Sequence, residues 1–266
     1  MCNPLAFIVN DRYNFLVSQR GNTLGFVLLG LLVACGAFVY VQRGTISAMY
    51  ELRQPPFNDP ALRELPRPLP ELKVNDANGT TITGYGYAFE APWKDTPKSD
   101  HSHESFMLRF TFVSTRLVCL LNRGMSPDFA ALIRSDPRSG IGRVLGPESV
   151  SSKYALESAA MNAFPRPINL FTPSSTSIRQ VFLLTWKSLA PRPWNVDTTV
   201  FNISSPSVRG FQFGDPAKTT FVILHLYDSA DRMAEIWVSV DPKSQDRITQ
   251  ADINRIIQTV HFTDSH

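Results

Sequence analysis

Asp100-His101-Ser102-His103-Glu104 puts four side chains able to ligate a metal within five residues. On a strand His101 and His103 would share one face, as residues two apart do. A zinc site needs further ligands from elsewhere, and the chain has neither an HExxH motif nor a second pair at a matching distance. The segment therefore reads as a solvated loop, and no metal or cofactor is expected. His225 lies in the apolar run Phe221 to Tyr227, where alternation puts it on one face with Phe221, Ile223 and Tyr227. A hydrogen-bonded core or edge histidine is the plainer reading. An enzyme assembled from distant residues would nevertheless keep its base either there or at His101 and His103. A serine nucleophile would want a sharp G-x-S-x-G turn, which is absent.

The remaining chemistry is sparse. Cys119 sits inside Leu117-Val118-Cys119-Leu120-Leu121 and reads as a small buried hydrophobe rather than a nucleophile. Glu90, Asp95, Asp215 and Asp241 stand singly beside prolines or turns, where turn chemistry explains them, and they form no assignable acid pair. Val208 to Pro216 brackets two aromatics with glycines next to Arg209. That pattern could line a ligand groove, but a strand with an edge bulge accounts for it. No catalytic or cofactor-binding residue is assigned.

Charge excludes one class of partner. The 26 Lys and Arg residues barely exceed 23 Asp and Glu, and no cluster of them could neutralise a run of phosphates. Nucleic acid is not an expected partner. Of the cysteines at 2, 35 and 119, only Cys119 lies in the region that reads as globular, so no disulfide within that region is available and packing must stabilise it.

Leu24 to Val41 is an apolar stretch of eighteen residues without a charge, bounded by Arg20 and Arg43. As a helix it would cover about 27 Å, near the thickness of a bilayer's hydrocarbon core. The expectation is one membrane-spanning signal anchor, with the C-terminal region on the extracytoplasmic, periplasmic side. Arg12 and Arg20 are balanced by Arg43 and Arg53, so the positive-inside rule does not decide orientation; the short N-terminal tail favours it. An alternative attaches to Cys35, because Leu32-Val33-Ala34-Cys35-Gly36 resembles the lipobox of bacterial lipoproteins. Lipidation there would also leave the domain on a membrane, although Ala37 to Val41 stays apolar where such proteins turn polar.

The expected organisation is a tail over 1–22, a transmembrane helix over 23–42, a Pro-rich linker over 43–79 and one globular domain over 80–266. Pro55, Pro56, Pro60, Pro66, Pro68 and Pro70 make the linker either a stiff spacer off the bilayer or an arm packed on the domain. Thr80 to Phe89 and Phe106 to Val113 read as strands. Helices follow, one opened by Ser126-Pro127-Asp128, a second over Ser151 to Ala163 and a third after Ser175. Four β-rich runs come next, at Thr198 to Ile203, Gly210 to Phe213, Thr219 to Tyr227 and Ala234 to Val240, the last two forming a hairpin. Thr249 and Asp252 open a closing helix.

Strands, then helices, then a hairpin and a helix indicate an α+β class in which an antiparallel sheet packs against helices. Gly84-Tyr85-Gly86-Tyr87-Ala88-Phe89-Glu90-Ala91-Pro92-Trp93, together with the hairpin and final helix running into His261-Phe262, resembles the PsbP-like α/β sandwich domains. The resemblance implies an accessory or assembly module rather than an enzyme. The helical middle from Ser126 to Leu189 departs from that family's compact pattern. The expectation is thus a membrane-tethered binding or assembly module in a bacterial envelope, whose partner is another envelope protein, with homo-oligomerisation undecided. A hydrolase with a dispersed site and a lipoprotein-like carrier of small apolar ligands are the alternatives.

Overall fold

The computed structural model describes residues 23–70, 79–100, 107–122, 128–136, 140–191 and 197–263. In chain order its strands are β1 (Arg67–Pro68), β2 (Thr80–Gly84), β3 (Tyr87–Ala91), β4 (Lys98–Asp100), β5 (Met107–Thr111), β6 (Arg116–Leu121), β7 (Val200–Ser204), β8 (Arg209–Phe213), β9 (Phe221–Tyr227), β10 (Met233–Val240) and β11 (His261–Phe262). The helices are α1 (Thr23–Glu51), α2 (Phe129–Ser135), α3 (Ile141–Leu145), α4 (Lys153–Met161), α5 (Ser174–Ser188) and α6 (Gln250–Thr259).

Alternation along β9 and β10 organises everything else. Eight strands lie in the order β1-β7-β8-β9-β10-β6-β5-β4, antiparallel throughout except for the parallel pair β1 and β7. Val222, Leu224 and Leu226 point to one side, where Ile82, Phe89, Ile253, Ile256 and Ile257 close a core beneath the small sheet β11-β3-β2 and α6. Phe211, Phe213 and Ile223 point to the other side, where α2 to α5 supply Ala130, Leu145, Leu156, Met161 and Leu183. The class is α+β, as expected, with a mostly antiparallel sheet between two packed layers. Full burial of each large aliphatic side chain contributes about 1.5–3 kcal/mol, so the three isoleucines of α6 suffice to hold that helix down. Its start carries the expected box: Thr249 accepts from the Asp252 amide while the Asp252 carboxylate accepts from that of Thr249.

Several local expectations are corrected. Thr80 to Phe89 is two strands, because Tyr85 and Gly86 both adopt positive φ (52° and 81°) and turn the chain into the hairpin β2-β3. Two consecutive positive φ values are what a tight antiparallel hairpin demands. Another strand packs closely on Gly84, where a Cβ would lie 2.5 Å from Leu108 Cδ1. The cap of α2 is Asp128, which accepts from the Ala131 amide; Ser126 and Pro127 lie outside the described residues. Arg209 to Phe213 is an inner strand rather than an edge, and Gly210 is needed because a Cβ there would fall 1.8 Å from the His225 carbonyl oxygen.

The N-terminal helix is also longer than expected. It runs unbroken through Glu51, so the first nine residues of the segment read as linker are helical. After it the chain packs on the domain. Asp59 caps the short turn Pro60–Arg63, Leu62 is fully buried, and β1 lies along β7. Lys187, 4% exposed, donates to the carbonyls of Glu64 (2.6 Å) and Ala163 (2.8 Å), tying this arm to α4 and α5.

Candidate functional site

Residue alternation brings His225, Tyr227 and Glu235 to the helix-side face of the central sheet, with Glu235 directly opposite His225 in the β9-β10 register and Phe211 opposite it in β8. From above, α4 lowers Glu157 onto the same spot. His225 Nδ1 donates to Glu157 Oε1 at 2.6 Å, and the Tyr227 hydroxyl donates to Oε2 at 2.5 Å. On the far side of the ring, Nε2 faces Glu235 Oε2 at 3.5 Å, while Glu235 Oε1 accepts from Trp237 Nε1 at 2.7 Å. Phe213 closes the ring edge at a centroid distance of 5.0 Å.

All four members are buried: His225 is 4% exposed, Glu157 7%, Tyr227 3% and Glu235 0%. Burial alone would push the imidazole pKa down. The Glu157 charge and hydrogen bond, then Glu235, outweigh it and raise His225 to about 9. At neutral pH the ring is therefore an imidazolium between two carboxylates. Burial and then Glu157 also hold the Tyr227 hydroxyl well above its ordinary value. Position on the chain keeps α4 in place as well. Ser152 caps it by accepting from Ala155, and Asp231, from the β9-β10 turn, accepts from the amides of Lys153 (2.6 Å) and Tyr154 (3.1 Å).

This arrangement stores a charge but offers it to nothing outside. The two ring nitrogens point at different carboxylates on opposite sides, so Glu157 and Glu235 cannot converge with His225 on one ion. Among the described residues no group of three His, Cys, Asp or Glu side chains is arranged to hold a metal. Above the cluster, the Tyr154 ring lies 5.6 Å from Tyr227 and is covered by the Arg209 guanidinium at 4.3 Å, and both residues line an open depression with Ser152, Ser158 and Asn162.

Comparison with family models, curated proteins and solved structures gives no match.

The other singled-out residues disperse. His101, His103 and Glu104 lie outside the described residues, and Asp100 ends the exposed strand β4. Burial raises the pKa of the Cys119 thiol against the pull of Arg109, as suits an inert core cysteine. Glu90 pairs with Arg255, Asp95 accepts from Ser114, Asp215 accepts from the Ala217 amide, and Asp241 accepts from the Lys243 amide. These are tethers and turns on separate parts of the surface. Cys35 is exposed in the middle of α1.

A second feature is the foot of α1. By length and composition, Gly30–Glu51 is long and apolar enough to cross a membrane. Leu31, Leu32, Val33, Phe38, Val39, Tyr40 and Val41 are all exposed, at 41–70%. From Gly44 onward the same helix docks on α5. Thr45, fully buried, donates to the Thr172 carbonyl at 2.9 Å and touches Ser174 and Ser177 Oγ; a Cβ on Gly44 would lie 2.9 Å from Ile178 Cδ1; Ala48 is 3% exposed. The seam of small and hydroxyl side chains lets two helices approach closely. Sequence reading missed it because Gly, Thr and Ala after an apolar run look like the end of a span rather than a packing face.

Proposed function

We propose that the chain is a single-pass membrane protein whose α+β domain rests directly against the extracytoplasmic face of the membrane and serves as a non-catalytic binding or assembly module of a bacterial envelope, with another envelope protein as its partner. The observation that carries this reading is α1. A helix with seven large apolar side chains exposed within eleven residues, 31–41, does not persist in water, where that surface drives association, whereas a bilayer satisfies it. Val41, the last apolar residue before Gln42 and Arg43, is also where contact with α5 begins, since its carbonyl accepts from Ser174 Oγ at 2.9 Å. The bilayer boundary and the start of the docked seam therefore coincide, and the Pro-rich stretch acts as an arm packed on the domain instead of a spacer.

A module role is favoured over hydrolysis by the burial of the His225 cluster, whose polar atoms are turned on one another beneath α4. The resemblance to PsbP-like domains implies the same kind of role. Alkaline carbonate washing of membranes tests the anchor: the full-length chain is expected to stay in the pellet. Protease added outside intact spheroplasts is expected to digest the domain. A chain released by carbonate, or a domain digested only after lysis, overturns the respective part of the reading. The mass of the purified chain separates the spanning helix from the Cys35 alternative, which would leave a chain cleaved before Cys35 and carrying lipid.

A further inference from the structure

The turn that leads into α5 carries the most exposed large hydrophobics of the folded domain near α1. Leu170 is 44% and Phe171 85% exposed. The turn is built rather than loose: Asn169 Oδ1 accepts from the Phe171 amide at 2.9 Å, and Thr172 Oγ1 accepts from the Asn169 amide at 3.1 Å. Its geometry holds the Phe171 side chain outward. Water gives no reason to display it.

Position supplies one. Contacts between α1 and α5 advance in the same sense, Val41 with Ser174 and Gly44 with Ile178, so the helices run parallel. The residues just before Ser174 therefore lie at the end of the domain from which the apolar part of α1 departs. One residue before Val41, Tyr40 is 67% exposed with the Arg43 guanidinium over its ring at 4.8 Å, the aromatic and basic pairing that favours a membrane-water interface. Charge agrees. Neither Leu24 to Tyr50 nor Phe164 to Gln180 contains an Asp or Glu, while Arg43, Arg166 and Arg179 fall within them. Such a face meets phosphate headgroups without repulsion.

We infer that the Asn169–Thr172 turn is a second membrane contact, with Leu170 and Phe171 entering the headgroup and acyl boundary of the bilayer that α1 crosses. The inference rests on the transmembrane reading of α1 and adds that the domain grips the lipid with its own side chains. The two contacts together fix the domain's tilt, since α1 alone would leave it free to lean in any direction.

The test uses the full chain with Cys2, Cys35 and Cys119 replaced by Ala and one new labelling site, Phe171→Cys or the control Leu189→Cys. Leu189 is 76% exposed just past the other end of α5, about 22 Å away along the helix. Each carries an environment-sensitive NBD fluorophore in vesicles of phosphatidylethanolamine and phosphatidylglycerol, with a nitroxide high on the acyl chain as quencher. At a depth of about 5–10 Å the label at 171 loses emission about twofold, and the label at 189 keeps its own. No quenching at 171, or equal quenching at both sites, in a chain that resists carbonate overturns the inference and leaves the anchor standing. Release by carbonate overturns the anchor reading instead, and this inference with it. Blue-shifted emission at 171 without nitroxide quenching means a protein covers the turn and also overturns the inference. A second measurement needs no substitution: hydroxyl-radical footprinting of the unmodified chain in lipid nanodiscs. Phe171 is expected to be oxidised less than Leu189 despite its greater exposure, and the opposite order refutes the lipid contact.

Discussion

Replacing Glu157 by Gln removes the charge that holds His225 protonated while keeping the side chain's size. His225 ordinarily titrates at 6.5, the value it takes in the unfolded chain, and at about 9 when folded. A raised folded pKa means the folded state binds the extra proton more tightly. Its stabilisation is complete below 6.5 and disappears as pH rises through 9. The gap between those values, at ~1.4 kcal/mol per pH unit, makes the wild-type chain about 3 kcal/mol less stable at pH 9.5 than at pH 6.5. For a domain of this size that is a fall of about 6–12 °C in Tm. Glu157 is the larger source of the upward pull, ahead of Glu235. In Glu157→Gln the fall should therefore shrink strongly, and the variant should be about 3–5 kcal/mol less stable than wild type at pH 6.5 but much closer to it at pH 9.5. Thermal melts of the full chain in nonionic detergent, followed by tryptophan fluorescence between pH 6.5 and 9.5, measure both quantities. The window stops short of pH 10, where the unfolded tyrosines ionise and Tyr227 adds a loss of the same sign. A flat wild-type profile, or an undiminished slope in the variant, refutes the account of the cluster as a stored imidazolium.

Three further changes probe other joints. Gly210→Ala drives a methyl into the His225 carbonyl 1.8 Å away and should cost more than about 3 kcal/mol, read as loss of the cooperative melt; a stable variant would show that β8 and β9 are not in this register. Asp231→Ala removes the acceptor for the Lys153 and Tyr154 amides and should cost about 1–2 kcal/mol, with faster amide exchange confined to the start of α4; unchanged exchange there argues against the cap. Gly44→Leu wedges α1 away from Ile178 and Ser174, so exchange over 174–178 should rise while the melt of the sheet core moves by less than about 1 kcal/mol; a shift of the whole domain would mean α1 is part of its core.

Elements written in short-range pattern are legible in the sequence. Thr249 and Asp252 announce α6 within four residues, and alternation from Phe221 to Tyr227 puts His225 on the correct face of β9. The partners of His225 are a different matter. Glu157 lies 68 positions earlier on a helix where a glutamate is ordinary, and nothing local marks it as the carboxylate that will be lowered onto the sheet. The Tyr85-Gly86 turn is hidden for a related reason, because tyrosine seldom takes positive φ and the run looks like one continuous strand. On α5 Ile178, and Leu189 just past its end, are exposed, while Ser177 and Lys187 are buried. There α1 and the arm over 52–70 cover polar residues through specific hydrogen bonds, and no hydrophobic periodicity reports that.

The two ends of the large sheet bear on how many copies can share a crowded surface. At one end β7 is covered by the outermost strand β1, only the two residues Arg67–Pro68, of which Pro68 has no amide hydrogen to offer a newcomer. The opposite outer strand is only Lys98–Asp100, polar and fully exposed. Among the described residues, neither flank presents a long flat row of backbone donors and acceptors. If the proposed anchor holds the chain in a bilayer, neighbours confined to that plane collide far more often than molecules dispersed in three dimensions, and these blunted flanks let such encounters end without strand-to-strand aggregation.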